Sequence, residues 1–117
     1  MKKLVIKSKS SRNRVANLIA KKIRSAVSIY SNAPVVEVEE QGISYTIISV
    51  KANENTSFRM LTFAEIDTVR EVVDIYKEKY EYGRISYSMQ GGQYLAQDGE
   101  TWLSMPVMEI SISQSWK

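Results

Sequence analysis

"TFAEIDTVREVVDIYKEKYEYG", residues 62–83, decides how the rest of the chain is read. Thr62 followed three residues later by Glu65 forms a capping box, in which each side chain satisfies a backbone N–H left over by the first helical turn. Ile66, Val69, Val73, Tyr76 and Tyr80 then recur at helical spacing on one side, and Gly83 supplies a left-handed stop. Asp67, Glu71, Asp74 and Glu78 follow one another at spacings of four, three and four as an acidic stripe, flanked by Arg70 and Lys77. The segment is a helix with one side to bury and one in water.

Short alternating stretches surround it. Upstream, "VVEVEEQGISYTIISVKA" at 35–52 sets Val36 and Val38 against glutamates and turns at Gln41-Gly42, which predicts a hairpin. "NENT" at 53–56 is a turn and "SFRML" at 57–61 a further strand. Downstream, "RISYSMQ", "QYLAQ", "ETWLS" and "PVMEISISQ" read as strands separated by Gly91-Gly92, Asp98-Gly99 and Pro106. Nearer the start, "SSRNRVANLIAKKIRSAVSIY" at 10–30 is a second amphipathic helix, opened by Ser10 or Ser11. Val15, Leu18, Ile19, Ile23, Ala26 and Tyr30 form its apolar stripe. Pro34 ends that helix by biasing Ala33 away from helical dihedrals. "KLVIKS" at 3–8 reads as a strand before it.

Helices separated by hairpins predict one α+β domain spanning residues 1–117. It has two layers, with two helices on one face of a mostly antiparallel sheet, as a ferredoxin-like core with an extra C-terminal hairpin. The sheet's other face should be polar, with Ser86, Ser88, Ser111, Ser113 and Ser115 beside Glu109. Ile85, Tyr87, Ile110 and Ile112 take the opposite parity. Val5, Ile48 and Val50 are expected to interrupt the polar face as a small apolar patch suited to dimerisation. The residues carry no family signature, and this superfold hosts many functions.

Composition narrows the chemistry. The chain of 117 residues has no cysteine and no histidine, so disulfides, thiolates and the commonest general base and metal ligand are excluded. The carboxylate pair Glu39/Glu40 alternates across a strand, and no serine is marked as a nucleophile, so no enzymatic activity, metal or cofactor is expected. The apolar run at the start is too short for a signal peptide, and no run is long enough to span a membrane, which predicts a cytoplasmic protein. The aromatics fall mostly at core-facing positions, leaving Trp102 and Trp116 as the two expected to be exposed.

Charge is the distinctive feature. The net value is +3, yet residues 1–36 hold nine cations (Lys2, Lys3, Lys7, Lys9, Arg12, Arg14, Lys21, Lys22, Arg24) and no acid. Arg12 and Arg14 sit in a first helical turn, where the helix dipole opposes cations and the exposed N–H groups favour an anion. Lys7, Lys9, Ser10, Ser11, Arg12, Arg14, Lys21 and Arg24 therefore form a candidate anion site for nucleic acid or a phosphate-bearing nucleotide. A plain solvated face, or pairing of the basic helix with the acidic stripe of the other, accounts for the same pattern. The alternative function is a protein-interaction inhibitor or adaptor of the phage or mobile-element accessory type, docking through its charged faces on an acidic protein. Opposed charge on a small domain also predicts a homo-oligomer, most simply a dimer.

Overall fold

A computed structural model describes residues 5–41, 45–53, 61–80, 84–95, 99–100 and 102–114. The elements are α1 (Lys9–Val27), β1 (Val35–Gln41), β2 (Tyr45–Lys51), α2 (Phe63–Lys79), β3 (Arg84–Leu95) and β4 (Trp102–Ser113). The strands form one antiparallel sheet in the order β1-β2-β4-β3. Two successive helix–hairpin units are thus joined where β2 meets β4. In a ferredoxin-like core the strand preceding the first helix would lie in the middle of the sheet; here β4 lies beside β2. Val5–Lys7 form no strand, and the earlier part of "KLVIKS" lies outside the described residues.

Register explains which side chains are covered. Val36 stands opposite Val50 and Val50 opposite Met108; Val38, Ile48, Ile110 and Tyr87 form the next row; Thr46, Ile112 and Ile85 the next. Alternation on a strand sends every member of these rows to one side, where α1 lies over β1 and β2, and α2 over β3. Ile48, Val50, Ile110 and Ile112 are fully buried, together with Ile19, Ile23, Val69 and Val73 from the helices. Ile48 and Val50 therefore belong to the core, not to a patch on the open face; Ile47 has the open-face parity instead. Glu37, Glu39, Ser86, Ser111 and Glu109 share that open side, as expected of a half-solvated antiparallel sheet.

The α2 capping box forms as read: Thr62 Oγ1 accepts from the Glu65 N–H at 3.1 Å, and Glu65 Oε1 accepts from the Thr62 N–H at 2.7 Å. Three other details differ from expectation. Helix α1 begins two to three residues early, capped by Ser8, whose Oγ accepts from the Ser11 N–H at 3.1 Å. Leu18 is 41% exposed, because the buried stripe runs through Val15, Ala16, Ile19, Ala20, Ile23 and Val27 instead. Gly91-Gly92 and Pro106 do not break strands: β3 and β4 run straight through them, with Gly91 opposite Pro106. Pro106 lies beyond Met108, the last β4 residue paired to β2, where among the described residues β4 has a neighbour on one side only and proline is tolerated. The positions at Gly42, 54–60, Gly83, Asp98, Ser115 and Trp116 lie outside the described residues, as does the side chain of Trp102.

Candidate functional site

In the stretch "KSKSSRNR" that opens α1, one side chain turns fully inward. Arg12 is 0% exposed, the largest fully buried side chain among the described residues. Its Nε–H donates to Thr46 Oγ1 on β2 at 3.0 Å, and its Nη1 donates to Gln114 Oε1, just past β4, at 3.1 Å. Nη2 lies 3.8 Å from Glu40 Oε1 on β1. A guanidinium presents its donors in a fixed planar fork, so one side chain ties α1 to three strands at once. Lys9 Nζ completes the arrangement at 2.6 Å from the same Glu40 oxygen, and Asn13 Nδ2 donates to Glu40 Oε2 at 3.3 Å. Asn13 also accepts from the Thr46 hydroxyl through Oδ1. The Lys9 hydrogen bond, helped by the Lys9 charge, the Asn13 hydrogen bond and the Arg12 charge, holds the Glu40 carboxyl below the ordinary range against the desolvation that opposes it.

The far end of the helix is tied as well. Arg24 donates to the Val36 carbonyl through Nη2 at 2.9 Å and Nε at 3.3 Å. Of the eight candidate anion-site residues, Lys9, Arg12 and Arg24 thus serve contacts within the molecule. Ser11 gives its N–H to the Ser8 cap, and Ser10 is exposed on the first turn. Lys7, Arg14 and Lys21 are exposed, and among the described residues they form no ion pair. The structure does not gather the eight into one pocket. No ion pair joins α1 to the acidic stripe of α2 among the described residues either.

A feature that the sequence left as separate short strands stands out at the other end. Pairing of β2 with β4 stops at Val50 opposite Met108, but β3 and β4 continue from Gln90 opposite Val107 to Leu95 opposite Trp102. Six further pairs at about 3.4 Å per residue carry this two-stranded ribbon roughly 20 Å beyond the sheet. The chain has a radius of gyration of 15.2 Å and a longest dimension of 51 Å, against roughly 13 Å expected for a compact domain of this length. Gly99, with φ 75°, lies in the connection at its tip, where a left-handed conformation favours glycine. The missed signal was Gly91 and Gly92 facing Pro106 and Met105: a register pairing, invisible until the hairpin is closed.

At the base of the ribbon, Ile66, Arg70, Tyr87, Ser88, Met89 and Met108 line a shallow groove of about 290 Å³. Arg70 and Lys77 lie over the Tyr87 ring, at 5.6 and 5.0 Å from its centroid. The Arg70 Nε–H also reaches the Tyr87 hydroxyl at 3.4 Å, which raises the Arg70 pKa further. Phe63 is 87% exposed and Met89 47% exposed on this side of the molecule. Among the described residues no cluster of acids could hold a metal ion, and no helix is long and apolar enough to cross a membrane. The chain shows similarity to no protein-family model, no curated protein and no solved structure. Its class therefore rests on its own geometry: a two-layer α+β domain with a projecting β-ribbon.

Proposed function

We propose that the chain is a protein-interaction module, an adaptor or inhibitor whose binding element is the β3–β4 ribbon. The observation that carries this is the six-pair extension past the sheet. A two-stranded hairpin is marginally stable alone, so a long one kept clear of the core gains order when another surface covers it. The ribbon holds Tyr94, Leu95, Trp102, Leu103 and Met105, and no charged residue between Gln90 and Leu95 or between Trp102 and Val107. Large apolar and aromatic residues are the usual anchors of protein interfaces. Cytoplasm is the proposed setting, where a chain without cysteine loses nothing to reducing conditions.

Anion binding is the second reading, reduced to what remains outside. Lys7, Arg14, Lys21 and Lys22 keep exposed cations at and along α1, which supports a phosphate-bearing partner such as nucleic acid. Deleting the ribbon distinguishes the two. Joining Gln90 to Val107 through an Asn-Gly turn should leave cooperative unfolding intact. With chemical cross-linking and mass spectrometry in the native host, the full chain should hold a protein at fixed stoichiometry and the ribbonless chain should not. Nucleic acid retained equally by both, and released by salt or by removal of Arg14 and Lys21, would favour the second reading.

A further inference from the structure

The two edges of the sheet are built differently, and the difference points to a second copy of this chain. Edge strands expose backbone donors and acceptors that pair with any strand that approaches, and natural proteins blunt them with charge. Edge strand β1 carries Glu37, Glu39 and Glu40 within seven residues. Edge strand β3 runs for twelve residues with no charge after Arg84, and among the described residues no strand lies on its outer side. Antiparallel pairing of β1 with its own copy would set glutamates against glutamates, which is unfavourable. The same operation on β3 brings together only neutral residues.

The layer above adds a second match. Helix α2 lies over β3, and its Arg70 and Lys77 mark the side nearest that strand, because both sit on the Tyr87 ring. Asp67 and Asp74 follow on the adjoining, exposed side. An antiparallel arrangement of two α2 helices about Val72 sets Asp67 opposite Lys77 of the second copy and Arg70 opposite Asp74 of the second copy. Both pairs repeat by symmetry. We infer that the chain forms an isologous two-fold dimer in which β3 pairs antiparallel with β3, making one eight-stranded sheet, and α2 lies against α2 through these four ion pairs. Exposed Phe63 and Met89 stand on the side that faces the seam. This inference stands apart from the ribbon proposal, since it concerns self-association alone.

Sedimentation of the full chain at micromolar concentration should give twice 13.4 kDa. Arg70→Glu and Asp74→Arg should each raise the dimer dissociation constant about tenfold or more, and the combined exchange should largely restore it, because each repulsion becomes a pair again. Arg70 and Asp74 also attract each other within one helix, so the decisive arm is a mixture of the two single variants. They should form a heterodimer, in which the opposite charges meet only between chains, and no heterodimer would overturn the inference. The chain lacks cysteine, so a single cysteine moved along residues 86–89 should link two chains at the position nearest the axis, where facing Cβ atoms lie about 5 Å apart. A cysteine at Glu37 or Glu39 should not. A monomer at every concentration, a dimer indifferent to both charge reversals, or cross-links confined to β1 would overturn the inference. So would a dimer abolished by Arg14→Glu with Lys21→Glu while the α2 variants dimerise normally, since that result means α1 meets α2 head to tail.

Discussion

The two helix starts solve the same problem by opposite means. At the start of α2, Thr62 and Glu65 satisfy each other's backbone N–H groups within four residues, and the solution is complete before the helix touches anything else. At the start of α1, a single serine caps the turn and no acid stands in it. The unfavourable cations are instead withdrawn from the dipole by distant groups: Lys9 by Glu40, and Arg12 by Thr46, Gln114 and Glu40. One start is local and the other tertiary. The tertiary one locks α1 to β1, β2 and the end of β4, so it contributes to the assembly of the whole sheet, whereas the local one sets where a helix begins.

That contrast is breakable in graded steps. Arg12→Ala should have the largest effect, about 3 kcal/mol and more than about 10 °C in melting temperature, because it leaves Thr46 and Gln114 without their donor beside a cavity. Arg12→Lys should recover only part of this, since an ammonium cannot reach Thr46 and Gln114 in one plane. Thr62→Ala should cost about 1 kcal/mol, measured by denaturant unfolding, and leave self-association unchanged. Glu40 sharpens the comparison through pH. Its folded pKa is lowered, so its contribution is present above the ordinary carboxylate range and is lost as pH falls through the lowered value. Melting temperatures of Glu40→Gln should therefore converge with the native chain on acidification, and a constant gap would break the assignment. Arg14→Ala should show the smallest effect: an unchanged or slightly raised melting temperature, as an exposed side chain in the second turn gives way to a better helix former.

How much of this was legible follows from where each signal sits. The α+β layering, the α2 cap and the polar parity of Ser86, Ser111 and Glu109 are written in spacings of two, three and four residues, and sequence alone gives them. Arg12 and Arg14 look alike on that scale. Projected at about 100° per residue, however, Arg12 falls within about 20° of Ile19 and Ile23, in the middle of the buried stripe, while Leu18 lies far round the helix. The stripe located Arg12; its chemical type argued for the surface and concealed it. Glu40, Thr46 and Gln114 are 28, 34 and 102 residues away, and only strand register brings them together. The ribbon was hidden for the same reason, since Gly91-Gly92 and Pro106 look like breaks until they face each other across a closed hairpin.

The inward clamp is the centre of this account, and the Arg12 side chain can report on it directly. Nitrogen-15 NMR of the arginine Nε–H groups should show the Arg12 resonance strongly protected from hydrogen exchange, with a cross-relaxation contact to Thr46, while Arg14 exchanges at the rate of free arginine. Arg12 and Arg14 exchanging alike and fast, with no contact to Thr46, would contradict the clamp and return both guanidiniums to the surface as candidates for a ligand.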